Sequence, residues 1–177
     1  MFRGRRRVER PVSLGVSWEV LRWTAEWIRF ADAKAGATLA AAGASAAVLA
    51  TFATRGGTDA HSPWSVAFAC GSAAALLGVS ILALLVLAPR LGRQGGGSLV
   101  YFGHIAKEYG ESGDNYALAL AEVESNPASW RQHLAQQITV NARIAERKYR
   151  ATSWSIRFLV VGIWLGGATA IAAQMGV

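Results

Sequence analysis

Three stretches of this sequence carry no charged residue, and the segments between them carry nearly all of its charge. The first is residues 35–54, AGATLAAAGASAAVLATFAT; the second is 64–88, ending in ILALLVLA before Pro89; the third is 158–175, FLVVGIWLGGATAIAAQM. About 20 helical residues, each rising 1.5 Å, cover the ~30 Å hydrocarbon core of a bilayer. A helix on the surface of a soluble bundle would instead keep its apolar residues at helical spacing, with charges on the opposite face. None of the three stretches does so, which identifies them as transmembrane helices.

The basic residues set an orientation. Residues 1–34 hold seven Arg and one Lys, and residues 89–157 hold seven Arg and two Lys. The connection 55–63 holds one Arg and one Asp, so it is neutral. Spans alternate sides, so both basic segments share one side, and the positive-inside bias makes that side the cytoplasm. The N-terminus is then cytoplasmic, the 55–63 loop and the C-terminus lie outside, and the protein is multi-pass in the inner (plasma) membrane. The first apolar run begins too far along the chain for a signal peptide. Trp64 and Trp154, near span ends, suit interfacial anchors. Gly36, Ala40 and Ala44 lie on one face of span one, and Gly162 and Gly166 form a GxxxG in span three; both permit close helix approach and open a route to a homo-oligomer. The lone Cys70 has no partner for an internal disulfide and is expected to be a small lipid- or helix-facing residue.

The cytoplasmic parts read as helical. Residues 14–34 form an amphipathic helix in which Val20, Trp23, Trp27 and Phe30 recur three and four apart beside Glu19, Arg22, Glu26 and Arg29. The aromatics are expected to pack in a core. No Pro or Gly separates this helix from span one, so the two form one rod. After a break at LGRQGGGS, LVYFGHIAKEY predicts a helix of about three turns. A turn over 110–115 follows, with Asp114 as N-cap of the next helix, YALALAEVES. A last helix starts at Asn126-Pro127, carries an apolar stripe of Trp130, Leu134, Ile138, Ala145 and Tyr149, and runs into span three. The expected fold is all-α: a membrane helical bundle of three transmembrane helices, with a cytoplasmic helical domain formed partly by inward extensions of spans one and three.

Catalytic arrangements are missing from the pattern. His61, His104 and His133 have no metal-ligand spacing, and there is no GxSxG, Walker loop or CxxC. Gly95–Gly97 lacks the Lys-Ser/Thr of a P-loop and reads as a joint. No enzyme, cofactor or nucleic-acid partner is expected. Arg3, Arg5, Arg6, Arg7 and Arg10 suit anionic lipid heads, at about 1 kcal/mol each near the surface. A second group is more specific: Asn141, Arg143, Arg147 and Lys148 on the last cytoplasmic helix, and Asp32 and Lys34 where the first rod meets the bilayer. If the rods are neighbours, cations there hold a small anion, and an amide such as Gln137 or Asn141 holds a base edge. The alternative is an ion-paired interface, Asp32 with Arg147 or Lys148.

The residues also carry a likeness. FADAKAGATLA, LVYFGHIAKEY and QQITVNARIAERKYR resemble, in order and in placement relative to the spans, the transmembrane effector family of Pycsar anti-phage systems. The matching positions are Asp32-Ala33-Lys34-Ala35, Tyr101-Phe102 with Ile105, and Gln137-Ile138 with Asn141, Ile144 and Lys148. The resemblance spans about residues 20–177. It implies a non-enzymatic membrane effector that senses cyclic CMP or cyclic UMP from a partner nucleotidyl cyclase and impairs inner-membrane integrity. Asp32, Lys34, Tyr101, Gln137, Asn141, Arg143 and Lys148 become candidate ligand contacts. The competing reading is a membrane scaffold whose cytoplasmic helices bind a protein partner.

Overall fold

A computed structural model describes residues 14–55, 62–88 and 99–175. The basic arm, most of the 55–63 loop with His61, and the Gly95–Gly97 joint lie outside the described residues. Five helices follow in order: α1 Leu14–Arg55, α2 Pro63–Leu87, α3 Phe102–Tyr109, α4 Gly113–Glu124 and α5 Pro127–Met175. The described residues contain no strand, and three of the helices, α1, α2 and α5, are long and apolar enough to cross a membrane. The fold class is the one expected, and α1 and α5 each unite a more polar segment with a span in one unbroken helix.

The chain divides into two compact units: residues 27–90 with 143–177, and residues 1–26 with 91–142. The first is the membrane unit, in which α2 packs against the span portions of α1 and α5. Lipid tails are as apolar as leucine, so close packing and hydrogen bonds between helices, not water exclusion, hold spans together. Both are visible here. Ala35, Ala83 and Val86 form one buried cluster, joined by Leu39 and Ala151; Ala42, Leu76 and Val79 form another, joined by Leu159. Along α2 and α5 each helix offers glycine where the other offers bulk. A Cβ on Gly162 would stand 3.0 Å from Leu76 Cδ2, and one on Gly71 would stand 3.1 Å from Leu165 Cδ1. The Ser72 hydroxyl donates to the Gly162 carbonyl at 2.8 Å, and a Cβ on Gly166 would lie 3.3 Å from Ser72 Oγ. The GxxxG of span three is thus spent on α2 of the same chain. Ser155, fully buried, lies 3.4 Å from both Thr38 Oγ1 and the Val79 carbonyl, joining all three spans at one hydroxyl.

The second unit contains α3, α4, the first part of α1 and the first part of α5. Trp18 of α1 meets Trp130 of α5 with ring centroids 5.6 Å apart. Asn126 caps α5, its side-chain oxygen accepting from the amides of Ala128 and Ser129 at 3.1 and 3.3 Å, while Pro127 occupies the first turn, which needs no donor. The α3–α4 hairpin is tied by the Tyr116 hydroxyl donating to the Leu99 carbonyl at 2.9 Å and by Tyr109 packing on Tyr116 at 5.4 Å.

Three local expectations are corrected. The cap of α4 is Ser112, whose hydroxyl accepts from the Asn115 amide; Asp114 sits in the first turn, where its charge favours the helix N-terminus instead. Helix α3 has eight residues, since Tyr101 is extended and acts as its N-cap. On α1 the buried face is Thr24, Ala31 and Ala35, whereas Trp23, Trp27 and Phe30 are each about half exposed. Small side chains face inward because they let the backbones approach; the aromatics are left outside. Trp27 and Phe30, just before span one, suit the bilayer interface.

Candidate functional site

The seven candidate residues separate between the two units. Asp32, Lys34, Arg143 and Lys148 belong to the membrane unit, and Tyr101, Gln137 and Asn141 to the second one.

In the membrane unit, Lys148 of α5 donates to the Asp32 carboxylate of α1, an ion pair only partly shielded from solvent. This is one of the two pairings open from sequence. Two residues on, Lys34 places its ammonium 5.4 Å from the centre of the Tyr149 ring, a cation–π distance. Together these contacts fasten α1 to α5 beside the start of span one. One turn further along α5, Thr152 is buried and its hydroxyl returns to the Lys148 carbonyl at 2.9 Å, so it adds no cross-helix bond. Arg143 is exposed, and Arg150 pairs with Glu146 on the same helix at 2.7 Å. Arg157 lies 4.8 Å from the Trp154 ring, which places a cation and an interfacial aromatic together at the start of span three.

The second unit holds a different chemistry. Its α5 segment buries Trp130, Leu134 and Gln137 and half-buries Asn141. Sequence reasoning put Ile138 in that stripe; the structure leaves Ile138 half-buried and turns the Gln137 amide fully inward. Gln137 is 6% exposed. Its Nε2 donates to Asn141 Oδ1 at 3.0 Å, while its Oε1 is buried with no hydrogen-bond partner. One turn earlier, His133 Nδ1 is also buried and unpartnered. Nothing in the residue pattern singles out His133 beyond its being four residues from Gln137 and eight from Asn141. A buried polar atom left unpaired costs about 1–3 kcal/mol, and these two lie one turn apart on the same helix. Tyr101, half-buried, lays its ring against the backbone of Gly103, where a Cβ would stand 2.7 Å from the ring edge. His104 and Tyr109 continue that aromatic surface at 5.9 Å, edge to face.

Comparison with known proteins converges on one family. The family model described as the Pycsar effector protein domain matches residues 16–174. A Pycsar effector protein of Propioniciclava tarda, PtPycTM, is 32% identical over 152 residues, covering 83% of this chain and 72% of that one. No solved structure matches. The match runs from residue 16 in α1 to residue 174 in α5, taking in nearly all of the five helices and all seven candidate positions. The chain therefore belongs to the Pycsar effector family, as a multi-pass membrane effector of anti-phage defence.

Proposed function

We propose that this effector binds a cyclic pyrimidine mononucleotide, cyclic CMP or cyclic UMP, made by a partner nucleotidyl cyclase, and that binding makes it impair the inner membrane. The observation carrying this reading is the family match over residues 16–174, which joins a membrane unit to a cytoplasmic unit with unpaired buried polar groups. The effector acts through rearrangement of its spans, without a chemical step of its own. The basic segments stay in the cytoplasm, where such a nucleotide is made, and the C-terminus lies outside.

A ligand shifts a membrane bundle only by binding one arrangement better than another. Helix α5 offers a direct means, because it carries both the His133–Asn141 face and span three in one helix. The rearranged state is a homo-oligomer. Its support is the outward face of span one, where Ala40, Gly43 and Ala44 are exposed and a Cβ on Gly43 would meet nothing within 4 Å. Within lipid, such small residues allow helices of two copies to approach closely.

The test is dye release from vesicles reconstituted with the full chain. Adding cyclic CMP or cyclic UMP inside the vesicles, or to inside-out protein, should release dye in proportion to site occupancy, while cyclic AMP should not. Vesicles that stay sealed at saturating concentrations of both pyrimidine nucleotides would overturn the reading.

A further inference from the structure

Resting on that reading, we propose that the buried face of α5 formed by His133, Gln137 and Asn141 reads the base, and that it selects cytosine over uracil.

The argument is one of hydrogen-bond polarity. Gln137 commits its Nε2 to Asn141 Oδ1, which leaves Oε1 pointing into the interior as a pure acceptor. In this pairing the Gln137 amide turns its nitrogen to Asn141 and its oxygen to the interior. One turn away His133 Nδ1 is empty as well; with the ring proton on Nε2 it too is an acceptor. Residues four apart on a helix face have Cβ atoms about 6 Å from each other, so both acceptors fall within reach of one small donor group. Cytosine carries an exocyclic amino group with two hydrogens. Uracil carries a carbonyl at the same position, which would meet acceptors with an acceptor. The free Asn141 amide hydrogens then suit the ring N3 of cytosine, itself an acceptor.

Further observations fit a site that opens. Gln137 is more than nine-tenths buried, so its unmet acceptor is not simply filled from bulk water. Helix α4 buries none of its twelve residues, so the α3–α4 hairpin is held by few contacts and moves at low cost. The same unit also carries aromatic rings, Tyr101, His104 and Tyr109, of the kind on which bases stack. Trp130 and Leu134, buried beside the polar groups, supply the apolar wall that excludes water and sharpens discrimination by hydrogen bonding.

The full chain in detergent or nanodiscs is titrated with cyclic CMP and cyclic UMP, reading both Kd and thermal unfolding. Cyclic CMP is expected to bind at least tenfold more tightly than cyclic UMP. Gln137→Leu should weaken cyclic CMP binding at least tenfold yet leave Tm equal or raised, because it removes a polar atom that is unpaired without ligand. Gln137→Glu keeps an acceptor and should retain the preference for cyclic CMP. His133→Phe should weaken cyclic CMP binding and narrow the gap between the two nucleotides. Equal or tighter binding of cyclic UMP, or a Gln137→Leu chain that keeps its cyclic CMP affinity within twofold, overturns the inference while leaving nucleotide sensing intact. A drop in Tm for Gln137→Leu of the size of a core lesion would also overturn it, since the amide would then be structural. Failure of either nucleotide to bind at all removes the inference and the proposed function together.

Discussion

At the residue scale, the contacts that decide the membrane unit are few and each is open to a single substitution. The Asp32–Lys148 pair is only partly shielded, which places its worth between that of an exposed pair and a buried one. Asp32→Asn should lower the thermal stability of the detergent-solubilised chain by about 1 kcal/mol, since it leaves Lys148 without its carboxylate. The exchange of both residues, Asp32→Lys with Lys148→Asp, should recover most of that loss. A double-mutant cycle reads the coupling directly; additive single effects would show that the pair contributes nothing. Ser72 and Gly162 behave differently because the first supplies a bond and the second supplies space. Ser72→Ala should cost about 0.6 kcal/mol, at most about 1.7, the range for hydrogen bonds between spans. Gly162→Leu forces a side chain into a place already occupied by Leu76 at 3.0 Å from where its Cβ must stand, and should cost more, about 1–3 kcal/mol as overpacking. Stability measured by titration with a denaturing detergent should show the smallest loss for Ser72→Ala and the largest for Gly162→Leu, with Asp32→Asn between them.

At the element scale, the helices divide by how they are held. Span helix α2 buries seven of its residues, while α4 buries none, and both carry serine caps at their N-termini. Local opening follows buried contacts and not helix length, so backbone amides of α3 and α4 should exchange with solvent at least about tenfold faster than those of α5 between Leu134 and Ala145. Mass-spectrometric hydrogen exchange checks this; equal protection would mean that the hairpin is fixed and cannot admit a ligand. Much of this level was legible beforehand. Charge-free length marked the three spans, and the absence of Gly or Pro marked the unbroken α1 and α5. Asn126-Pro127 marked the start of α5 because one side chain caps and the other needs no donor. What stayed hidden depends on which neighbour a face meets. Periodicity placed Trp23, Trp27 and Phe30 on one stripe but could not say that the smaller stripe of Thr24, Ala31 and Ala35 would be the one buried. The apolar stripe also concealed the burial of Gln137, because pattern reading ranks Ile138 as core and a glutamine as surface, and only the packed helix shows which of two adjacent residues turns inward. Asp32–Lys148 was one pairing among two, and sequence spacing does not choose between Arg147 and Lys148, which differ by 100° around the helix.

For the whole molecule, what matters is which units meet which solvent. The seven Arg and one Lys before span one, and the seven Arg and two Lys between spans two and three, are separated by two crossings and so must share a side. Moving either group across the bilayer means carrying many cations through it, and the near-neutral 55–63 connection offers no opposing bias. The proposed function requires this arrangement, because a nucleotide made in the cytoplasm cannot reach His133, Gln137 and Asn141 from outside. The sequence itself supplies a clean assay, since Cys70 is its single cysteine. In a Cys70→Ser background, Thr58→Cys in the short connection should react with a membrane-impermeant maleimide added to intact spheroplasts. Glu122→Cys, exposed on α4, should stay unreacted until the membrane is breached. The reverse pattern would invert the protein and remove its access to a cytoplasmic signal. Because the proposed response is itself loss of membrane integrity, the same assay has a second use: with the nucleotide supplied, Glu122→Cys should become reactive in otherwise untreated cells. The onset of that labelling should track the concentration of cyclic CMP that fills the site, whereas labelling that begins without nucleotide would mean the spans leak by themselves and that the cytoplasmic unit does not control them.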